Sequence, residues 1–460
     1  MPHVANAYFT SQTKRFLMGL SALSLLVACQ IPLAPLQNSN SNPPLSTQSR
    51  PIRPPQGRLH CPPGRANCRP QAFNLPNQDQ FILPPEYKPT QAVMISDRLM
   101  ADMSGRPLVQ ALIQANAHVW MLGTDQTLYN QTKQIIQSTL SPLGLPLAAQ
   151  IYQLPVATDS IWSRDYGPLT TLPTAAYTGP KLDYKLMNSF YYPDRRSDDR
   201  VPALLSRILN SPLGPLTEKT VFTSQLSLAL EGGNLMCTEQ DCFSSQSVID
   251  RNLGQSFRNG RTLNTEEDIK AEFKSQIQQT THFVPALPTE STGHIDMWAK
   301  FLNQNTLLIG QLSDQSIQLA PAEYQAQLKD IQAFLEMQAS GKDSNGQVVP
   351  ESLYQQALAS NAQLKVVRIP MPLPLQEYQG ASLFRSYTNA LIVNNHALIP
   401  QYRSLPNNQA YPDNALLQGY EQAVSQAYQA AGYQVKWIPS DTWIVSGGAV
   451  HCVTMQIPQV

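Results

Sequence analysis

Short apolar runs alternate with amphipathic stretches along most of this chain. Ala92–Ser96 and His118–Gly123 have the composition of buried strands, and Pro107–Ala117 between them has helical spacing. A helix, Gln126–Leu140, and a further strand, Ile151–Pro155, follow directly. Similar units recur at Thr306–Gln311, Leu364–Ile369, Ala390–Pro400 and Val435–Ile438. Alternating strands and helices predict an α/β fold, although the self-similarity of the sequence is too faint to establish a repeat.

Length and charge narrow the possible roles. The 460 residues are enough for one large domain or two smaller ones with a substantial core. Lys and Arg together number 32, Asp and Glu together also number 32, and no basic stripe is visible. Because nucleic acids bind to basic surfaces, they are not expected as partners.

The N-terminal residues 1–28 have the features of a lipoprotein signal peptide. Lys14-Arg15 precedes the apolar run Phe16–Ala28, which is short for a transmembrane helix but suits the core of an export signal. The run ends in Leu26-Val27-Ala28-Cys29, which resembles a bacterial lipobox. Acylation of Cys29 would make it the mature N-terminus and hold the protein at a membrane of the bacterial cell envelope. The alternative is a plain secretory signal and a secreted protein.

Residues 29–80 are predicted to form a disordered tether. The segment is rich in Pro, Asn, Ser and Gln and lacks aliphatic clusters, so it cannot bury enough apolar surface to order itself. The folded part is predicted to span residues 81–460 as one domain. Within it, the polar, helix-prone segment Ala320–Gln363, with a flexible break at Gly341–Gly346, is expected to decorate the rim.

The six cysteines are typical of an exported protein. Two locally spaced pairs would close small disulfide loops in an oxidising compartment. These pairs are Cys61 with Cys68 and Cys237 with Cys242. A zinc site from these four is rejected because neither pair has the short CxxC spacing and one pair lies in the tether, so no metal is predicted. With Cys29 as the lipidation site, Cys452 is left as a free thiol.

The free thiol lies in an unusual local sequence. Gly447 and Gly448 precede Ala449-Val450-His451-Cys452, and glycines allow a backbone to turn sharply and to present a side chain. A buried structural cysteine is the alternative. Three upstream segments argue against it because each places titratable groups beside a glycine turn. They are Asp159–Pro168 with Trp162 and Asp165, Leu230–Asn234 with Glu231, and Ser291–Asp296 with His294.

These segments, taken in order with the cysteine, resemble the agmatine deiminase and bacterial peptidylarginine deiminase family of the guanidine-modifying (pentein) superfamily. The resemblance runs from about Pro84 to Pro458 and includes two more motifs, Pro84–Tyr87 and Ser386–Asn389. It implies a fivefold pseudosymmetric β/α propeller as the single catalytic domain, with strand ends converging on a central channel. It also implies a hydrolase of linear amidines that converts a guanidinium to a ureido group, releases ammonia and needs no cofactor.

The chemistry of this reaction independently requires the residue types found here. A guanidinium is planar and cationic, so a site that binds it needs carboxylates in its plane, and Asp165 and Asp296 are the candidates. Its central carbon is a poor electrophile, which requires a strong nucleophile such as the thiolate of Cys452. The resemblance implies a covalent Cys452 thiouronium, with His294 as general acid and base. If the segment is extended, His294 and Asp296 lie on one face.

Three further residues are assigned by the resemblance. For Glu231 three roles stay open, which are positioning the substrate, orienting His294 and holding the turn. Trp162 is either a wall over the aliphatic stem of the substrate or a core aromatic residue. Asn389 is expected to line the pocket.

The substrate is predicted to be peptidyl arginine, agmatine or free arginine. Agmatine-type enzymes commonly show three glycines and an Asn ahead of the His-Cys pair, whereas this chain has Ser446-Gly447-Gly448-Ala449, which weakens the case for agmatine. Arg195 and Arg196 lie where secreted peptidylarginine-type relatives bind a peptide carboxylate, unless they belong to a solvated charged loop. Export also favours peptide-borne or scavenged arginine.

Three other functions are compatible with parts of the pattern. Amidinotransfer uses the same fold, with an amine in place of water, and nothing in the sequence excludes it. A non-catalytic surface lipoprotein that binds arginine-containing ligands would be expected to lack Cys452 or His294, and both are present. A cysteine protease also uses Cys and His, but it leaves the two carboxylates and Glu231 unexplained.

Overall fold

The computed structural model describes most of the predicted folded part. It covers residues 80–102, 104–141, 150–179, 181–211, 215–216, 219–257, 261–378, 381–403 and 411–460. The chain divides after Pro51, and all of these residues belong to the unit Ile52–Val460. The predicted signal peptide, nearly all of the tether, and Cys29, Cys61 and Cys68 lie outside the described residues. Every helix within the described ranges is too short or too polar to cross a membrane.

Strands and helices alternate along the described chain. The strands are β1 (Phe81–Ile82), β2 (Thr90–Ser96), β3 (His118–Leu122), β4 (Ile151–Leu154), β5 (Leu169–Pro173), β6 (Tyr184–Phe190), β7 (Val221–Ala229), β8 (Met236–Cys237), β9 (Asp241–Ser245), β10 (Thr280–Val284), β11 (Ala299–Asn303), β12 (Thr306–Gln311), β13 (Lys365–Pro370), β14 (Leu375–Tyr378), β15 (Ala381–Leu383), β16 (Leu391–Val393), β17 (His396–Gln401), β18 (Gln434–Pro439) and β19 (Met455–Pro458). The α-helices are α1 (Gly105–Gln114), α2 (Gln126–Leu140), α3 (Ser163–Tyr166), α4 (Val201–Leu209), α5 (Ser247–Asn252), α6 (Glu266–Lys274), α7 (Asp314–Leu319), α8 (Ala322–Ser340), α9 (Leu353–Ser360), α10 (Asn414–Ala430) and α11 (Asp441–Ile444).

Five of the sheets share one pattern. In each, one strand pairs antiparallel with a second, and the second pairs parallel with a third after a helical crossover. The triplets are β19-β2-β3, β5-β6-β7, β8-β9-β10, β11-β12-β13 and β16-β17-β18. Strands β1 and β4 extend two of these sheets, and β14 with β15 forms a separate hairpin. The fold is therefore the predicted α/β pentein fold with five related β/α units.

The first sheet joins the two ends of the described chain. Strand β19 pairs antiparallel with β2, so that Met455 lies opposite Met94. This pairing closes the ring of five units, because the last strand of the chain supplies the antiparallel strand that the first unit lacks. It also carries the cysteine segment back to the N-terminal part of the fold.

Local sequence explains where several elements form. Strand β3 is buried from Val119 to Leu122, as expected for a parallel strand covered on both faces. Helix α2 begins after Asp125, whose carboxylate accepts a hydrogen bond from the backbone of Leu128 at 2.9 Å. The predicted helix Gln126–Leu140 and the predicted strand Thr306–Gln311 coincide with α2 and β12.

Two predictions about local structure need correction. The run Ala390–Pro400 is a hairpin of β16 and β17, because Asn394 adopts a left-handed φ of 53° and turns the chain. The segment Ala320–Gln363 does form helices, but they belong to the crossover between β12 and β13, and α8 buries Ile331 and Leu335 in the core. Its supposed flexible break is a hydrogen-bonded turn around the carboxylate of Asp343.

The candidate site residues occupy matching positions in the five units. Each lies two to five residues before the first strand of its triplet. They are Cys452 before β19, Asp165 before β5, Glu231 before β8, His294 and Asp296 before β11, and Asn389 before β16. Because the five first strands are related by the pseudosymmetry, these residues come together at one end of the strands.

Candidate active site

The site is built around Gly233, which has no side chain to fill it. A Cβ atom at this position would lie 2.7 Å from Nδ1 of His294, 2.9 Å from Oδ1 of Asp165 and 3.1 Å from Oδ2 of Asp296. The backbone N–H of Gly233 also donates to Oδ1 of Asp165 at 3.1 Å. Glycine therefore leaves a small polar cradle lined by three side chains, two from the unit of β11 and one from the unit of β5.

His294 is held by carboxylates on both sides of its ring. Its Nε2 lies 3.0 Å from Oε2 of Glu231, and its Nδ1 lies 3.8 Å from Oδ1 of Asp165. Burial alone would lower the pKa of His294, but Asp165, Glu231 and Asp296 together raise it to about 10. The imidazole is therefore protonated at neutral pH, which suits a general acid.

Glu231 orients His294, and its own negative charge is balanced by neighbouring cations. Burial would raise the pKa of Glu231, but Arg251 and His294 hold it well below its usual range. Arg251 forms an ion pair with Oε2, the same oxygen that faces the histidine. Of the three roles left open by the sequence, the contacts match the orientation of His294.

Cys452 is buried beside an amide and a carboxylate. Its Sγ accepts a hydrogen bond from Nδ2 of Asn389 at 3.1 Å and lies 3.7 Å from Oδ2 of Asp296. Oδ1 of Asn389 accepts from the backbone of Ala449 at 3.2 Å, so one amide fixes both the thiol and its loop. A Cβ at Gly448 would lie 3.0 Å from Sγ, so that glycine keeps the approach to sulfur open.

The charges around the cradle favour a cationic ligand. Burial raises the pKa of the Cys452 thiol well above its usual value, and the neighbouring carboxylates Asp296 and Asp165 raise it further. Burial likewise raises the pKa of Asp165. Oδ1 of Asp296 is buried and has no hydrogen-bond partner among the described residues. A planar cation between the carboxylates would satisfy this oxygen and favour the ionised forms of Asp165 and of the thiol.

The extended conformation on which one geometric prediction for this segment depended is absent. His294 and Asp296 do not share a face of an extended strand, because Ile295–Met297 forms a turn of 3-10 helix. His294 precedes that turn with extended backbone angles, and Asp296 lies inside it. The two side chains still meet at the cradle because the turn, rather than strand alternation, brings them together.

Comparison with known proteins identifies the family. A family model of Porphyromonas-type peptidyl-arginine deiminase matches residues 101–458. The chain belongs to this family. It is therefore a pentein-fold hydrolase that acts on C–N bonds, and the family reaction is hydrolysis of a guanidinium group.

Individual relatives are distant but match over nearly their whole length. A Yersinia pestis protein provisionally named agmatine deiminase is 22% identical over 420 residues, which are 83% of this chain and 97% of the relative. A solved structure from Porphyromonas gingivalis, provisionally named arginine deiminase, has a TM-score of 0.55 with 20% identity, over 82% of this chain and 98% of that one. A substrate-bound variant of the C. jejuni agmatine deiminase has a TM-score of 0.54 with 14% identity, over 82% and 96%. At these identities the two solved structures support the fold alone.

Trp162 and a pair of tyrosines lie next to the residues of the deiminase site. Trp162 packs against the core, which agrees with one of its two predicted roles, and its ring lies 2.6 Å from where a Gly448 Cβ would be. Its role as a wall over the substrate stays a prediction. The hydroxyl of Tyr192 bonds to Glu231. Arg195 lies over the rings of Tyr191 and Tyr192, at 5.7 and 5.1 Å from their centroids.

Sequence reasoning missed several residues that support the site. Glu86 lies in the motif Pro84–Tyr87 and His451 lies beside the nucleophile, yet neither received a role. Both are linked to Asp296 in the structure. Arg251, the partner of Glu231, carried no signal in the sequence because it lies outside every motif.

The predicted disulfide between Cys237 and Cys242 is present in the described part of the chain. The two cysteines are directly opposite each other on β8 and β9, just after the Glu231 turn. The crosslink therefore closes the hairpin that follows a catalytic segment. Cysteine pairs of this kind persist in oxidising compartments.

Proposed function

We propose that this chain hydrolyses the guanidinium of arginine or of a peptide-borne arginine to a ureido group through a covalent intermediate on Cys452. The observation that carries the proposal is the cradle at Gly233, where a histidine and two carboxylates face one space beside the only free thiol among the described residues. This set supplies a nucleophile, an acid and a clamp for a planar cation.

The reaction proceeds in two half-reactions. The Cys452 thiolate adds to the guanidinium carbon, and protonated His294 gives its proton to the departing nitrogen, which leaves as ammonia. The thiouronium that remains is attacked by water, whose proton passes to His294. The carbon–sulfur bond then breaks, and the remaining hydroxyl proton leaves to solvent, where it converts the ammonia to ammonium. The products are the ureido group and the restored thiolate, with His294 protonated again.

Arg195 supports a substrate that carries a carboxylate. Its guanidinium donates to the hydroxyl of Tyr191 at 2.9 Å, and, although the charge of Asp198 acts on it, it forms no ion pair among the described residues. Free arginine and a peptide with C-terminal arginine both offer a carboxylate at the end opposite to the guanidinium. Agmatine ends in an ammonium, which the positive charge of Arg195 would repel.

A paired substitution tests the choice of substrate. Arg195→Gln is expected to raise KM for arginine or for a C-terminal arginine peptide roughly tenfold, because one charge-assisted hydrogen bond is lost. Arg196→Gln is the matched control, since Arg196 is an exposed neighbour. Citrulline-type product and ammonia would be measured with arginine, a C-terminal arginine peptide, its C-terminally amidated form and agmatine.

The assay separates failure of the substrate assignment from failure of the function. Turnover of agmatine alone, or equal KM values for the two variants, would show that the carboxylate assignment is wrong. Absence of ammonia release from all four compounds would contradict hydrolysis itself. Ammonia-free transfer of the amidino group to an added amine would indicate amidinotransfer instead.

We also propose that the enzyme is lipid-anchored at the bacterial cell envelope through Cys29. The lipobox-like sequence supports this, and the Cys237–Cys242 disulfide agrees with an oxidising compartment. Cells grown with labelled fatty acid should yield labelled wild-type protein and unlabelled Cys29→Ser protein. Label retained in the variant would exclude Cys29 as the acylated residue.

A further inference from the structure

Asp296 has one oxygen for the substrate and one for the protein. Oδ1 is buried without a partner among the described residues, whereas Oδ2 lies 2.6 Å from Nδ1 of His451. The same Oδ2 lies 3.7 Å from the sulfur of Cys452. The rotation of this carboxylate therefore decides both how the free oxygen meets a guanidinium and how closely the bound oxygen approaches the nucleophile.

His451 links Asp296 to a second carboxylate. Its Nε2 lies 2.6 Å from Oε1 of Glu86, and the ring is almost completely buried. Both ring nitrogens of His451 therefore lie at hydrogen-bond distance from a carboxylate oxygen, and the ring bridges Asp296 and Glu86.

Glu86 is in turn held by two cations. Arg164 bonds to Oε1 at 2.8 Å and Lys300 bonds to Oε2 at 2.7 Å. Arg164 precedes Asp165 in α3, and Lys300 lies in β11, which follows Asp296. These two cations hold the pKa of Glu86 well below its usual range against the opposing effect of burial. The series of contacts from Glu86 through His451 to Asp296 therefore begins at a carboxylate that stays ionised and is held in place by two cations.

We propose that His451 and Glu86 are positioning residues for guanidinium hydrolysis, which orient the Asp296 carboxylate so that Oδ1 faces the substrate. This inference rests on the function proposed above. The competing interpretation is mechanical, in which His451 only ties the segment that carries Glu86 to the core. The positioning role depends on Nδ1 of His451, which faces Asp296. The mechanical role depends on Nε2, which faces Glu86.

Two amide substitutions distinguish these nitrogens. An Asn at position 451 places its amide N–H near the position of Nδ1 and keeps a donor for Asp296, whereas a Gln reaches toward the position of Nε2 and keeps a donor for Glu86. For a positioning role, His451→Gln should lower kcat/KM roughly tenfold to 100-fold, and His451→Asn should retain clearly more activity. Both KM and kcat should change, because Asp296 binds the substrate and sets the attack geometry.

A second, partly buried histidine–carboxylate pair supplies the control. Nε2 of His282 lies 2.7 Å from Oδ1 of Asp241 on β10 and β9. His282→Asn and His282→Gln should lower thermal stability without changing kcat/KM per active site. Active sites would be counted by covalent labelling of Cys452 with 2-chloroacetamidine, so that loss of folded protein is not mistaken for loss of activity.

The order of activities decides between the interpretations. Higher activity of His451→Gln than of His451→Asn, or wild-type kcat/KM in both, would overturn the positioning role. Either result would leave the proposed function intact as long as the wild-type enzyme releases ammonia from a guanidinium substrate. If the wild-type enzyme releases none, the proposed function fails first.

Discussion

Replacing Cys452 with Ser is expected to lower kcat by on the order of 10⁴-fold or more while the fold stays intact. A serine hydroxyl is almost entirely protonated at neutral pH, and the two carboxylates beside it oppose its ionisation further. Product formation and thermal unfolding would be measured on the same preparations. Turnover near the wild-type rate in the variant would show that Cys452 is not the nucleophile.

Chemical labelling tests the electrostatic part of this assignment. Because burial, Asp296 and Asp165 raise the pKa of Cys452, neutral 2-chloroacetamide should react slowly near pH 7 and faster as pH rises. Cationic 2-chloroacetamidine should react faster at pH 7, because its charge offsets the carboxylates. At pH 7, the rate with 2-chloroacetamidine divided by the rate with 2-chloroacetamide should be roughly tenfold or more higher for Cys452 than for a small free thiol. Equal ratios would mean that the cradle does not recognise a cation.

His294→Gln is expected to lower kcat by roughly 10²- to 10⁴-fold, the range for loss of a general acid and base. The glutamine keeps a hydrogen-bond donor for Glu231, so the shape of the site is preserved, but it carries no transferable proton at neutral pH. Burial of the wild-type ring would lower its pKa, yet the adjoining carboxylates raise it to about 10, so the acid is present across the neutral range. Steady-state kinetics with the best substrate provide the measurement.

Labelling and a matched variant control this prediction. The reaction of 2-chloroacetamidine displaces chloride and needs no proton donor, so His294→Gln should still be labelled at Cys452. His282→Gln removes a histidine from a comparable carboxylate pair outside the cradle and should keep wild-type kcat. If His294→Gln retains wild-type kcat, the proton donor is another group. If it loses turnover and labelling together, His294 serves binding rather than proton transfer.

Much of the fold was predictable where short-range patterns control it. Helix α2 follows from an N-capping Asp125 and helical spacing, and β12 follows from a short apolar run, because both depend on neighbours in sequence. The crossover with α8 and α9 was misjudged since its polar surface conceals a buried stripe that includes Leu335. Burial of that stripe depends on β12 and β13, which lie on either side of it in the chain.

The sequence by itself determined the chemical groups of the site. A thiol after a glycine pair, a histidine and two separated carboxylates are side-chain identities, and each motif is only a few residues long. The sequence also supplies Gly233, but its place against His294, Asp165 and Asp296 is seen only in the structure. These features specify which reaction the site can perform, because guanidinium chemistry requires those groups wherever the chain brings them together.

Only the tertiary structure decided how the groups are paired. Glu86 and His451 are 365 residues apart, and their contact exists because β19 pairs with β2 and closes the ring of five units. The pairing of His294 with Glu231 likewise joins residues 63 positions apart, through matching turns in adjacent units. Contacts of this kind depend on strand pairing across the whole ring. They also depend on the burial of these side chains, which cannot be predicted from neighbouring residues in the sequence. For this reason the sequence specified the reacting groups, whereas the closed fold specified their charges and orientations.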